Sequence, residues 1–351
     1  MPSATARPDA VANAEEPSRG RPGRGLRALS LSLLALRVGP VLILLLLALV
    51  LSFAVPVFIT SRNLGNVLAQ TAVIATVAMG QHLVILTRGI DLSVGSNLAL
   101  ASVLGALAYQ VTGSSALVIF VMIGAGALVG AINGLVYVFG RLPHPFIITL
   151  ATLSIAKGLA LQLSDGRALP GMPETVALIG HESIGWLPVS AFVVAGLALL
   201  LLVLTKSMIW GNWLYALGGN PEAARRTGIP VRGVLVSVYA ISGLTAGIGA
   251  VILAGRTNAG SPLFGNLLEL DTIAAVIIGG ASFLGGRGHL GHALVGALMI
   301  GVIRNALNLL NVGIFLQLIV IGVVIVLAVQ ADVLRNYLEE RFRVLQAARM
   351  Q

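Results

Sequence analysis

Apolar runs of about twenty residues, separated by short polar breaks, recur along almost the whole chain. A run of that length lets a helix cross a hydrocarbon core of about 30 Å. The runs predict spans at roughly 38–58, 67–87, 91–111, 115–139, 145–165, 187–205, 233–255, 269–285, 290–310 and 313–331. Glycine and polar residues interrupt the second, third, eighth and ninth of these. The first run is longer than the core of a cleaved signal peptide and reads as a retained helix. Residues 1–37 are rich in Pro, Arg and Ala, lack a hydrophobic period and read as a disordered basic tail. The expected fold is an all-α polytopic membrane protein of about ten transmembrane helices, with its membrane domain over 38–331 and a C-terminal tail over 332–351.

The distribution of charge orients this scheme. With the amino terminus inside, the inner segments are 1–37, 88–90, 140–144, 206–232, 286–289 and 332–351, and they hold 17 of the 22 Lys and Arg. The outer loops hold Arg62, Arg167 and Arg256, while Lys157 and Arg304 fall within spans. Such a bias places both termini in the cytoplasm, and a shift by one helix reverses it. Composition agrees: the chain is 57% hydrophobic and 10% charged, against roughly 25% charged in a soluble domain. The net charge of +9 therefore belongs to membrane loops rather than to a nucleic-acid surface. Absence of cysteine excludes disulfides and thiolate metal sites.

The longest polar stretch between apolar runs, 206–232, carries nearly every signal a short helix can have. Asn220 is a good N-cap, Pro221 suits the first helical position and Glu222 sits at the positive end of the dipole. Arg225 and Arg226 occupy the last turn, Gly228 fits a left-handed stop and Pro230 prevents continuation. A helix of about two turns is marginal in water and needs a support. Ala223 and Ala224 offer a shallow surface that a partner can approach closely, with Glu222 and the arginines fixing register; a plain capped loop helix is the alternative.

Polar residues inside the apolar runs are candidates for a path. In the stretch Gly89-Ile90-Asp91-Leu92-Ser93-Val94-Gly95-Ser96-Asn97, Asp91 reads as a helix cap, with Gly95 one of the small residues that follow, whereas Ser96 and Asn97 need partners in the membrane. In the stretch that runs from Glu269 and Asp271 to Gly279 and Gly280, the two acids sit at the outer end of a helix that begins there and runs inward, where capping is again the simpler role. Arg304, Asn308 and Asn311 recur at i, i+4 and i+7 and are expected on one face of the ninth span, and Lys157 lies mid-span in the fifth. Residues 87–107 and 285–302 each carry a glycine-rich turn followed by small residues, which fits an internal repeat or simply the shared composition of membrane helices. His289 and His292 lack a third ligand, and no GxxxxGK[ST] is present, so the chain does not bind ATP by a P-loop.

Taken together, the segments LVILTRGIDLSVGS (83–96), PFIITLATLSIAKG (145–158), YALGGNPEAARRTGI (215–229), ELDTIAAVIIGGASFLGGRG (269–288) and NALNLLNV (305–312) resemble the integral membrane permeases of bacterial ribose-, arabinose-, xylose- and galactoside-type ABC importers. These belong to the wider branched-chain amino acid and sugar permease superfamily. The likeness runs from about residue 38 to 331; Lys157 departs from it, since the family more often has Arg before that glycine. The resemblance implies a non-catalytic permease in the bacterial cytoplasmic membrane. It implies a cytoplasmic ABC ATPase that binds ATP and Mg, a periplasmic or lipid-anchored substrate-binding protein, and a second permease copy or paralogue. The helix 220–227 is then the coupling helix seated on the ATPase, and the substrate a monosaccharide or related polyol. Branched-chain amino acids and nucleosides are the alternatives within the superfamily. An ion-coupled transporter is the alternative outside it, but that reading wants an acid near the bilayer centre, whereas Asp91, Glu269 and Asp271 are expected near boundaries.

Overall fold

The computed structural model describes residues 24–347. Its helices are α1 (Arg24–Ala54), α2 (Ser61–Leu86), α3 (Val94–Thr112), α4 (Ser115–Phe139), α5 (Phe146–Leu163), α6 (Glu174–His181), α7 (Val189–Lys206), α8 (Ile209–Gly219), α9 (Pro221–Arg226), α10 (Val231–Thr257), α11 (Leu268–Ile278), α12 (Leu290–Leu309) and α13 (Ile314–Ala347). Among the described residues, eight are long and apolar enough to cross a membrane: α2, α3, α4, α5, α7, α10, α12 and the Ile314–Leu334 part of α13. The apolar part of α1, Gly39–Ala54, is shorter. The protein is an all-α polytopic membrane protein, its only sheet being two pairs of two-residue strands among the described residues.

Both tails differ from their expected form where the structure describes them. Helix α1 starts at Arg24, inside the stretch expected as tail, and residues 1–23 lie outside the described residues. Helix α13 runs on to Ala347 through most of the expected C-terminal tail, with 348–351 outside the description.

Helices α2 and α10 form the centre. Eighteen residues of α2 are buried, among them Met79, Leu83 and Leu86, and α10 is buried along its middle from Tyr239 to Gly255. The contact of α10 with α4 is made backbone to backbone. Gly126 and Gly130 of α4 face Gly243 and Gly247 of α10, and a Cβ on any of these four would strike main-chain atoms of the other helix. Two glycines four residues apart on each helix are the small-residue spacing that lets membrane helices approach closely.

Each central helix is followed by a non-helical segment packed against the bundle: Thr87, Gly89, Asp91 and Ser93 are buried in the first, and Gly260, Ser261 and Pro262 in the second. After α2, residues 87–93 are extended or bent and α3 begins only at Val94, later than the residue 91 expected. After α10, Ala259–Gly260 pairs antiparallel with Leu169–Pro170, and the backbone N–H of Ser261 donates to Ser102 Oγ at 3.1 Å. This second segment passes down the side of α3: a Cβ on Gly260 would meet Ser102 and Ala106, and one on Gly265 would meet Gly95. Helix α11 therefore starts beside the first turn of α3. It has 11 residues, about 16 Å of helix, half of what a full span needs. The run expected as a span over 269–285 ends early because Gly279 and Gly280 (φ 98°) turn the chain, and Gly285 and Gly286 also take positive φ. The order of long helix, buried break and following helix thus occurs at 61–112 and again at 231–278. Residues 87–107 share this element order with 258–278, whereas 285–302 is a turn followed by the full-length helix α12.

Candidate functional site

The end of the bundle that carries α9 is built from loops tied to helix ends. Asn220 Oδ1 accepts from the N–H groups of Glu222 (3.1 Å) and Ala223 (3.0 Å), with Pro221 opening the helix. Glu222 pairs with Arg226 at 3.3 Å, Arg225 is exposed, and Gly228 takes the left-handed stop at φ 81°. Ala223 is exposed, but Ala224 is 3% exposed and packs inward, so the two alanines do not form one outward surface. In six residues only one side of the helix can face away, and Ala224 is the side that rests on the protein. Its support is α8, an 11-residue helix that the polar character of 206–232 had hidden. Leu214 and Leu217 of α8 are buried, and Trp210 Nε1 donates to Ser237 Oγ at 2.9 Å.

The elbow between α8 and α9 is gripped from α2. Arg88 Nε donates to the Gly218 carbonyl and Nη2 to the Gly219 carbonyl, both at 2.6 Å. A cation on the last carbonyls of α8 meets the negative end of its dipole. The loop before α12 closes the same joint: Gly286 N–H donates to the Leu86 carbonyl at 2.9 Å and Tyr215 Oη to the Gly288 carbonyl at 3.0 Å. There His289 Nδ1 caps α12 by accepting from Gly291 N–H at 3.0 Å. Burial, then the charges of Lys206 and His292, hold the His289 imidazole below its ordinary range, in keeping with its role as acceptor.

Three residues beyond Arg88 the chain enters a buried polar network. Asp91 Oδ1 accepts from Ser93 N–H (3.0 Å) and Ser93 Oγ (2.6 Å), and its Oδ2 accepts from Ser242 Oγ of α10 (3.0 Å). Ser93 Oγ in turn accepts from Asn133 Nδ2 of α4 (2.9 Å), and Asn133 Oδ1 accepts from Thr152 Oγ1 of α5 (2.6 Å). Asp91 therefore caps the turn that precedes α3, and the N-cap of the helix itself is Ser93, which makes no side-chain cap bond. The network joins the break to three other helices.

The path candidates separate into groups. Arg304 donates to Asp271 Oδ2 at 2.6 Å, and both line a cavity of about 270 Å³ together with Gln70, Asn308 and Gln317. Gln317 donates to Asn308 Oδ1 at 2.9 Å. Asn311 does not share the helical face of Arg304 and Asn308: α12 ends at Leu309, and Asn311 sits in the following turn at φ 54°. Lys157 donates to the Pro262 carbonyl at 2.7 Å, on the segment leading to α11. Ser96 lies one turn before Ala99 and Leu100, on the face of α3 that packs against α5. Asn97 turns away to α4, donating to the Gly126 carbonyl at 3.0 Å, with its Oδ1 buried and unpaired. On α11, Glu269 is placed beside Gly95 and Asp271 on the opposite flank toward α12, while a Cβ on Gly279 would strike the His292 carbonyl.

Residues 63–329 match the family model described as the permease component of the branched-chain amino acid transport system. The chain belongs to that permease family. It is 39% identical over 300 residues to the ribose import permease protein RbsC of Bacillus subtilis, covering 84% of this chain and 92% of that one. It is 40% identical over 278 residues to the D-allose transport system permease protein AlsC of Escherichia coli, covering 78% and 84%. With the L-arabinose ABC transporter permease protein AraH of Azospirillum brasilense it shares 34% over 306 residues, covering 86% and 88%. No solved structure gives a significant match.

Reading the sequence of this permease picked out α9 but passed over the residues that tie it down. Arg88 counted only as one inner charge, although an arginine directly before a glycine at a span end can reach carbonyls of a neighbouring loop. Asn133 was visible as an amide in the otherwise apolar α4. The reciprocal pair of Asn63 and Asn305, whose amides exchange hydrogen bonds of 3.0 and 2.9 Å, carried no local signal because 242 residues separate them.

Proposed function

We propose that this permease forms the translocation path of an ABC importer for a monosaccharide such as ribose, driven by a separate cytoplasmic ATPase that contacts α9. The carrying observation is mechanical. Helix α9 is short, capped at both ends and exposed except for Ala224, and its elbow is held through Arg88 to the segment that opens α3. A partner that moves α9 pulls on Arg88 and so on the Asp91 network, and a rigid-body shift at the loop becomes a tilt of α3, α4, α5 and α10. The names of the ribose, allose and arabinose relatives support a sugar as substrate. Its delivery falls to a periplasmic or lipid-anchored binding protein, and ATP and Mg belong to the ATPase. A second permease copy or paralogue completes the membrane part, and both termini face the cytoplasm with α9. The permease is the non-catalytic membrane component of this multi-pass inner-membrane assembly.

The test is ATP-dependent uptake of radiolabelled ribose in proteoliposomes holding the permease with its ATPase and binding protein. Glu222→Lys and Gly228→Trp are expected to leave the permease in the membrane and abolish uptake. Unchanged uptake sinks the role of α9. A thermal-shift screen of the binding protein against monosaccharides and branched-chain amino acids decides the substrate class; stabilisation by the amino acids alone rejects the sugar.

A further inference from the structure

A cavity of about 670 Å³ opens where α4, α9 and α10 meet, and three arginines line it: Arg141 just past α4, Arg225 on α9 and Arg232 in the first turn of α10. Its other walls are largely apolar, including Leu142, Ile229 and Leu235, and no Asp or Glu lines it. Among the described residues none of the three arginines forms an ion pair; the neighbouring Glu222 is taken by Arg226, and Arg232 lies 6.0 Å over the Phe139 ring. Three like charges around one cavity repel each other, so the arrangement gains stability from an anion between them. The site lies at the ends of two membrane helices, the depth at which lipid headgroups sit. On the adjoining surface of α4, Leu135, Val136 and Phe139 are exposed at 44, 40 and 62%. An apolar strip leading up to a basic cavity fits acyl chains below and a phosphate above, which a free ion or a soluble protein surface does not satisfy as well.

We propose that this cavity binds an anionic phospholipid of the inner leaflet, its phosphate held by Arg141, Arg225 and Arg232 and its chains laid along α4. Guanidinium forks suit phosphate oxygens, and Arg225 brings α9 into the same site. The bound lipid thereby ties the loop helix to the α4–α10 pair, an interaction independent of the transported substrate.

The experiment uses the full-length permease in nanodiscs of phosphatidylcholine with or without phosphatidylglycerol, reading thermal unfolding and, after detergent extraction, lipid adducts by native mass spectrometry. Arg141→Gln/Arg232→Gln leaves α9 untouched, and Arg62→Gln/Arg167→Gln removes equal charge from exposed positions elsewhere. The expected result is stabilisation by phosphatidylglycerol with a retained adduct, lost in the first variant with an affinity drop of at least about tenfold and kept in the second. Equal phosphatidylglycerol effects in the original chain and both variants, or none in the original chain, overturn the proposal. Full stabilisation by inorganic phosphate in pure phosphatidylcholine overturns the lipid assignment. Protection of Arg141 and Arg232 from arginine-modifying reagents only when the ATPase is bound assigns the cavity to that protein instead.

Discussion

Arg88 holds the carbonyl oxygen of Gly218 at 2.6 Å, across 130 residues of sequence, and with its second nitrogen the carbonyl of Gly219. One guanidinium thus bolts the α8–α9 elbow to the end of α2. Lysine offers a single ammonium and cannot span two carbonyls in a fixed fork. Arg88→Lys is expected to cut ATP-driven uptake at least about tenfold, the equivalent of one charge-assisted hydrogen bond, while ATP hydrolysis by the assembled complex continues. Uptake equal to that of the original chain removes Arg88 from the transmission.

The cavity of Asp271, Arg304 and Asn308 predicts a pattern of access. The chain has no cysteine, so single cysteines can be introduced on a clean background. Asn308→Cys and Asn311→Cys are expected to react with small hydrophilic thiol reagents, both being exposed, and Asn97→Cys, buried against α4, to react at least about a hundredfold more slowly. Complete protection at 308 in every transport state places it away from the path.

Asn63 and Asn305 predict a coupling energy. Each amide hydrogen-bonds the other in a buried setting; Asn63→Ala strands Asn305, while Asn305→Ala leaves Asn63 only its bond to the Phe58 carbonyl (2.9 Å), and each change is expected to cost roughly 1–2 kcal/mol. The double change is expected to cost less than the sum of the singles, by roughly 0.5–1 kcal/mol, in thermal unfolding of the detergent-solubilised chain. Strict additivity refutes the pairing.

His289 gives a pH effect of definite sign. Its folded-state pKa is lowered, and the neutral ring is the one that caps α12. The contribution is therefore present above the ordinary histidine range near 6.5 and is lost as pH falls below it. His289→Asn keeps an acceptor that does not titrate. Between pH 7.5 and 5.5 the original chain is expected to lose more stability than the variant, by up to about 1 kcal/mol, the worth of a cap; equal losses reject the assignment.

Much of the fold was legible because a membrane helix is a local property: twenty apolar residues suffice, and α4, α5 and α7 fall close to their expected limits. The caps of α9 were legible for the same reason, since Asn220, Pro221 and Gly228 act on their immediate neighbours. What escaped depends on distant contacts. Gly279 and Gly280 are a local mark of where α11 stops, but an apolar run masked it, and no nearby residue reveals that the later glycines turn beside Leu86 and Arg88. Helix α8 was hidden because its buried aliphatic residues, Leu214 and Leu217, are few and sit among tryptophans and glycines. Asn311 was misplaced because a spacing of seven implies one helical face only while the helix continues.

The glycine seam between α4 and α10 has a further consequence for how force travels. With main chain resting on main chain at Gly126, Gly130, Gly243 and Gly247, there are no rotamers at the seam to repack. The pair behaves as a welded strut, and compliance must come from elsewhere. Among the described residues, the unwound stretches 87–93 and 258–267 pack against the bundle without a helical hydrogen-bond ladder. A bend in either stretch disturbs no helical ladder, whereas a bend in the strut does.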